Sequence, residues 1–482
     1  MSVVIGLDVG HDAVRVAALV DDRPELVLAL PGWVAWQGGR VVVGAEARER
    51  PLGTRLGRLP AWLERTDDDG DDDQGKSGPL TSVWPVVDGK LRAPAEALAW
   101  VLRAAVVAVE DRHGPVLGAA IAVDPALGAV GRRALRDAAV IAGIPATRLL
   151  AAPACAALAI PGALDGAWLV CDAGAGALTV TVVERIAGAL HVLAQVRDPH
   201  LGGDALDTTI ATQLEVDGGA IEPGDPTWPI LCAVARAIKE EAAASELAGI
   251  NARLGGSGGR VRVPRRDEVE DWLGPRLRRV DELCQRALTA AGVTAGELVD
   301  VALVGGGARL VGLQRRLHHA LARPPRVVGE PGAAAVLGAA LAARMFLAEP
   351  VALFLDGVAH PLALSAGLGI EPVVASGTIA PARAMQIVPT SRADQDELEV
   401  ELWEQGARTR LFGRYAVTGL PAAPAGDAIA VCQVIVDADQ VPALTARELA
   451  TATPLTVTAV AESAIAPDAL AAARDQVTAW RP

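Results

Sequence analysis

The chain has 482 residues, 51% of them apolar, and a formal net charge of −14. That length exceeds what one hydrophobic core organises and calls for two or three domains, while the negative charge argues against holding nucleic acid or anionic lipid through a basic surface. Five cysteines, odd in number and set in apolar runs, argue against a disulfide framework or a zinc site. They are expected to be reduced thiols. No basic region precedes Asp8, and prolines interrupt the longest apolar stretches, such as 149–164, so a cytoplasmic protein with neither a membrane span nor a nucleic-acid partner is expected.

The first predicted element runs from Val3 to Val20: a strand, a turn at Asp8-Val9-Gly10, and a returning strand. Glycine turns of this kind can present backbone N–H groups to phosphate oxygens, and an acidic residue beside them faces a metal ion. His11 and Asp12 follow. The histidine suits either a phosphate donor or plain filling of space, and the aspartate either points outward or ligates magnesium. Residues 64–78, with six aspartates among glycine and serine, read as a disordered acidic loop. Apolar residues at helical spacing predict helices over 94–110 and 128–142, flanking a strand at 119–123.

Cys171-Asp172-Ala173-Gly174-Ala175-Gly176 repeats the first turn between two further apolar runs, which suggests two related lobes. A paired-glycine turn, Gly202-Gly203, comes next, with Asp204 placed to cap a helix. The helix expected over 230–247 carries Lys239, one of only three lysines in the chain. A short strand is expected at 261–263 and one long helix from Asp267 to Leu288. A strand at 300–304 enters the third glycine turn, Gly305-Gly306-Gly307, and Arg309 precedes a helix over 310–321. An alanine-rich helix over 333–347 follows. Beyond 349 the period changes to short alternating runs separated by glycine and proline, which predicts an all-β domain, closed by one helix over 467–480.

Taken together, the three turns resemble the phosphate-1, phosphate-2 and adenosine segments of the actin-like ATPase superfamily. The chain resembles more specifically the DnaK-type chaperones of the heat shock protein 70 family. The motifs that carry this are IAVDPALGAVGRRALRDAAVIAGIPATRLLAAPACAALA (121–159), HLGGDALD (200–207), VGGGARL (304–310), the linker-like VALFLD (351–356), PLALSAGLGIE (361–371) and LFGRYAVTGLPAAPAG (411–426). The resemblance implies an α/β, two-lobed actin-like ATPase with ribonuclease H-like halves over 1–347. A linker at 348–357, a β-sandwich at 358–461 and a short C-terminal helix at 462–482 would follow. It implies ATP or ADP with Mg2+ as cofactors, with Asp8 and Asp172 as the catalytic, metal-holding carboxylates. Gly10, His11, Asp12, Gly174, Gly176, Gly202, Gly203, Gly305 and Gly306 would line the phosphates, and Lys239 and Arg309 would flank adenine and ribose.

The departures bear on rate. Where the family has two threonines after the first phosphate glycine, this chain has His11 and Asp12. Ala177 and Thr179 replace a threonine and an aspartate of the second turn, and Ala152 replaces a glutamate. The catalytic lysine has no counterpart between 41 and 63, where only arginines such as Arg55 and Arg58 stand. Losing such groups at about 2–4 kcal/mol each removes several decades of rate, so ATP binding with slow or absent hydrolysis is expected.

The resemblance also implies apolar peptide segments as partners, with co-chaperones. Leu362, Leu364, Leu368, Met385 and Ile387 would line the peptide site, although these leucines equally suit the core of a small sandwich. Some 20 residues remain after Val460, too few for a whole helical lid. The alternative reading is a nonchaperone nucleotide sensor or scaffold that docks a dedicated partner protein. A sugar or acetate kinase on the same fold has no use for the β-domain.

Overall fold

The computed structural model describes residues 2–481 except 52, 64–83, 188, 218, 245–259, 348–353, 367–368, 407–408 and 463–464. The acidic loop expected at 64–78, most of the expected linker, and Leu368 therefore lie outside the described residues. The chain divides into two compact units, one comprising residues 1–152 and 339–482, the other residues 153–338.

The first unit begins with β1 (Val3–Val9), β2 (Ala13–Val20) and β3 (Arg23–Pro31), joined later by β4 (Val116–Val123) and β5 (Thr147–Ala151). Their order is β5-β4-β1-β2-β3, antiparallel along the meander and parallel where β4 and β5 enter. The parallel additions require crossovers. Helix α1 (Pro94–His113) makes the first of them, starting with proline in its first turn and stopping at Gly114, φ +89°. The periodic positions Leu98, Val101, Leu102, Ala105 and Val109 are all buried. Helix α2 (Ala129–Ile141) follows β4.

The second unit repeats this plan. Strands β6 (Gly166–Ala173), β7 (Leu178–Ile186) and β8 (Ala189–Asp198) form the meander, and β9 (Asp300–Val304) and β10 (Arg326–Val327) add in parallel, giving β10-β9-β6-β7-β8. Helices α3 (Gly203–Ala211), α4 (Trp228–Ala244), α5 (Arg266–Leu277), α6 (Arg279–Ala291) and α7 (Val311–Leu321) accompany the sheet. Leu169, Val180, Ile210, Val280, Leu303 and Leu317 share one core. Two expectations are corrected here. The long helix from Asp267 is two helices that meet at Arg278, and the strand at 261–263 is only a bridge from Val261 to Val216.

Helix α8 (Ala334–Leu347) precedes the β-rich region. Strands β11 (Leu362–Ser365), β12 (Ile370–Val374), β13 (Ala382–Pro389), β14 (Glu397–Gln405), β15 (Thr409–Thr418), β16 (Ile429–Val436), β17 (Pro442–Glu448) and β18 (Pro454–Glu462) form an antiparallel eight-stranded sheet. Its order is β12-β11-β14-β15-β18-β17-β16-β13. The core, with Leu402, Phe412, Tyr415 and Val434, takes in Ala129 and Val130 of α2, so the β-region is seated on the N-terminal part of its own unit.

Ionic contacts define that seat. Arg132 of α2, 1% exposed, donates from Nε to the Leu127 carbonyl at 2.8 Å and lies 3.9 Å from Asp356. Burial pulls its pKa down, and Asp356, Asp439, Glu404 and Asp124 oppose that pull. Arg136 meets Asp437 at 2.6 Å, Arg148 meets Asp439 at 3.1 Å, and the Glu404 carboxylate accepts the Ala129 N–H at 2.6 Å at the start of α2. A bare helix N-terminus is thereby satisfied by a residue of the β-region. The last helix, α9 (Pro467–Ala479), packs on α1 and α2, with Val477 fully buried and Trp480 edge-on to Trp100 at 5.5 Å.

Candidate functional site

In the first repeat the β1–β2 turn closes through the Gly10 N–H, which donates to the Ala13 carbonyl at 3.1 Å. That amide is therefore committed to the hairpin, contrary to the expectation that it faces phosphate. A Cβ on Gly10 would stand 3.1 Å from the Ala13 oxygen, a tight contact at a position with no positive φ. His11 and Asp12 occupy the turn and are half-buried, and the Asp12 carbonyl accepts from the Gly32 N–H at 3.2 Å.

Asp8 faces Arg15 directly across the ladder, with Nη1 3.3 Å from Oδ2. Desolvation raises the Asp8 pKa, and the guanidinium opposes the rise. Arg15 was missed by sequence reasoning. The signal was its register, because a hairpin that closes at Gly10 and Ala13 puts residue 15 opposite residue 8. This carboxylate already has a cation, so it does not fit the part of an uncommitted magnesium anchor. Among the described residues no cluster of three or more His, Cys, Asp or Glu side chains is arranged to hold a metal.

The second repeat carries the same turn, with the Gly174 N–H donating to the Ala177 carbonyl at 3.0 Å. Asp172 faces Thr179. Here the start of α3 locks the loop: the Gly203 N–H donates to the Gly174 carbonyl and the Asp204 N–H to the Ala175 carbonyl, each at 2.9 Å. A Cβ on Gly202 would fall 2.5 Å from the Ala177 nitrogen and from the Gly176 carbonyl carbon. Gly202 and Gly203 thus serve the close approach of helix and loop.

Lys239 is placed beneath this junction. Its Nζ donates to the Gly203 carbonyl at 2.9 Å and pairs with Asp207 at 2.5 Å, both side chains being largely buried. Burial raises the Asp207 pKa, and Lys239 lowers it. The ammonium expected beside adenine therefore has two partners within the protein, and Asp207, the last residue of HLGGDALD, was not singled out from sequence.

The third turn lies over the second. Gly305, at φ +80°, would bring a Cβ within 2.5 Å of Asp172 Oδ1, and Gly307 would bring one within 2.8 Å of the Ala173 Cβ. Parallel pairing of β6 with β9, Asp172 beside Val304, sets this proximity. Gly306 and Arg309 are exposed. So Asp172, Gly174, Gly176, Gly202, Gly203, Lys239, Gly305 and Gly306 come together in one unit, whereas Asp8, Gly10, His11 and Asp12 form the turn of the other. Of the arginines considered in place of a catalytic lysine, Arg55 stacks over Trp33 at 5.1 Å and Arg58 has φ +54°.

In the β-region Leu362 and Leu364 are 1% and 0% exposed, within the core. They cannot line a peptide site. Met385 and Ile387 are 62% and 59% exposed on the edge strand β13. Four cysteines are buried, Cys232 is partly exposed, and all five are free thiols. Among the described residues no helix is long and apolar enough to cross a membrane.

The model of the Hsp70 protein family matches residues 77–476. Over 375 residues the chain is 30% identical to chaperone protein HscA of Klebsiella pneumoniae, an overlap of 75% of this chain and 60% of that protein. HscA of Citrobacter koseri and of Escherichia coli are each 29% identical, with 74% of this chain and 59% of the relative covered. The chain spans about 60% of the length of the curated relatives it matches.

Proposed function

Because the chain belongs to the Hsp70 family, whose members bind nucleotide with Mg2+, we propose that it is an ATP-binding chaperone-like protein with actin-like, ribonuclease H-like halves and weak or absent hydrolysis. The observation that carries this is the convergence of the Asp172, Gly202-Gly203 and Gly305–Gly307 turns. Three chain segments meet there at contact distances that only glycine permits. The exposed Gly306 and Arg309 supply the open side on which a purine nucleotide rests.

Slow hydrolysis follows from what the residues can do. Phosphoryl transfer depends on placing a water and stabilising spread negative charge. Thr179 supplies a hydroxyl but no carboxylate, Ala177 and Ala152 supply nothing, and Asp8 is neutralised by Arg15. The β-region takes an apolar segment by adding a strand to the β13 edge, with Met385 and Ile387 as its side-chain contacts. Nucleotide state reaches it through the Arg132, Asp356 and Asp439 contacts of α2.

The burial of Leu362 and Leu364 favours a second reading, in which the same edge docks one dedicated partner protein and the chain acts as a sensor. Calorimetric titration with ATP, ADP and apolar heptapeptides separates the two. Peptide affinity that changes with nucleotide supports the chaperone, and nucleotide binding without a peptide signal supports the sensor. A protein that binds no nucleotide, with Asp172→Ala behaving as wild type, contradicts both.

A further inference from the structure

The eight-stranded sheet has two edges, and they are guarded to different degrees. Edge β12 is five residues long and carries Glu371 and Pro372, a charge and a proline of the kind that keeps an edge from pairing with another chain. Edge β13 is eight residues long, has no proline before its last position, and holds Arg383 as its only charged residue. Its neighbour β16 has no charged residue at all. On a chain with 58 acidic and 44 basic residues this margin is free of carboxylates, so two copies can meet along it without opposing like charges. The ladder also fixes which main-chain groups point outward. The Thr390 N–H donates to the Ala428 carbonyl at 3.0 Å, one step beyond the Pro389–Ile429 pair. Polar groups alternate sides along an antiparallel strand, so the even-numbered residues of β13 turn theirs toward β16. Arg383, Met385 and Ile387 turn N–H and C=O to the open side, and Met385 and Ile387 are also the exposed apolar side chains of the strand.

We propose that β13 is the pairing surface for a second copy of this chain, the two strands running antiparallel about a two-fold axis at Gln386. In that register Met385 lies opposite Ile387 of the second copy and Arg383 lies opposite Pro389. The strand is therefore complementary to itself. Apolar side chains face apolar ones, no cation faces a cation, and the outward N–H and C=O groups of Met385 and Ile387 are exchanged in both directions, as an isologous interface requires. Directly opposed side chains share a face of the sheet, so Met385 and Ile387 of both copies gather into one apolar cluster beside Val431 and Gln433 of β16. The axis residue gives independent support. Gln386 Oε1 is buried and has no hydrogen-bond partner among the described residues, a costly state for an amide. On the axis the two Gln386 side chains stand opposite each other in a position without ladder hydrogen bonds, where side chains come closest, and each amide supplies the donor that the other lacks. One strand pair is a small interface, so the dimer is weak and depends on concentration. It covers the edge that takes an apolar segment in the reading above, and the two occupants exclude each other. The pairing itself rests neither on that reading nor on nucleotide.

The test is sedimentation velocity on the full chain, without nucleotide or peptide, from about 1 µM to about 200 µM. Wild type is expected to pass from monomer to dimer with a dissociation constant on the order of 10 µM. Ile387→Lys puts a cation on the open edge and is expected to weaken association about tenfold or more, whereas Ile370→Lys on β12 leaves it unchanged. Gln386→Cys places a thiol on the axis and is expected to give an interchain disulfide under copper–phenanthroline oxidation. Met385→Cys, whose counterpart lies at 387, cross-links far less, and wild type with its own cysteines gives the background. A wild type that stays monomeric throughout overturns the inference. So does a dimer that Ile387→Lys leaves intact, or one that Met385→Cys cross-links better than Gln386→Cys. A wild type that stays monomeric and binds apolar heptapeptides overturns this inference alone. A dimer whose dilution to monomer uncovers no heptapeptide binding supports it and contradicts the substrate reading of the edge.

Discussion

The two hairpins built around Asp8 and Asp172 have the same topology and the same closing hydrogen bond, but they are held in place to different degrees. The second is locked by two amides from α3, covered by Gly305 and Gly307, and supported by the Lys239–Asp207 pair. The first has the Gly32 amide on the Asp12 carbonyl and the Arg15–Asp8 pair at the sheet surface. Main-chain geometry survives between the repeats while side-chain electrostatics diverge. A turn's shape needs only small residues at two or three points, whereas its charge depends on the residue across the ladder.

That difference in anchoring can be broken experimentally, and the largest effect belongs to the buried pair. Lys239→Ala leaves the Asp207 carboxylate without its cation in a largely closed site, at a cost of about 3–5 kcal/mol in urea unfolding near neutral pH. The folded pKa of Asp207 is already raised above its usual value and rises further in the variant. Between the unfolded and folded pKa values the native state then binds the extra proton. The variant should accordingly regain stability as pH falls from about 7.5 toward about 5. A loss that is the same at both pH values would show that the pair is not the cause.

Gly202→Ala comes next. Its Cβ would strike the backbone of the second loop rather than a side chain that can turn aside, so a loss of about 1–3 kcal/mol is expected, together with loss of nucleotide binding. The mirror change in the first repeat, Gly10→Ala, meets one carbonyl oxygen at 3.1 Å and involves no positive φ. It should cost less than about 1 kcal/mol. Equal melting-point shifts for Gly10→Ala and Gly202→Ala would erase the contrast between the loops.

Much of this was legible in the sequence, because the repeated Asp-x-Gly between apolar runs marks hairpins, and the runs at 94–110, 128–142, 300–304 and 310–321 carry one clear period each. The miss at Arg278 has a local cause: α5 holds Gly274 and Pro275 near its end, residues that favour a stop, while apolar spacing continues through the break. Strands β12 and β17 are the least legible in the β-region, because Pro372 lies within one and Pro442 opens the other, and proline counts against a strand unless it lies at an edge or an end. In the sheet β12 is an edge, and Pro442 is the first residue of β17. Lys239 stood out by rarity, but rarity says nothing about which way an ammonium points. Asp207 and Arg15 were missed because a charge in an amphipathic run is usually read as solvated, and only register brings each to its partner.

The packing of α9 has a consequence for how the β-region is tethered. That region enters from α8 and leaves into a helix whose Val477 and Trp480 are fastened to α1 and α2. It is leashed at both ends, so a separation at the Arg132 contacts still leaves it at high local concentration over its seat. Reseating then requires no diffusional search. Clipping the chain ahead of Pro467 would turn a closed loop of polypeptide into a dangling one, and the rate of escape would become a measure of the knot that had been cut.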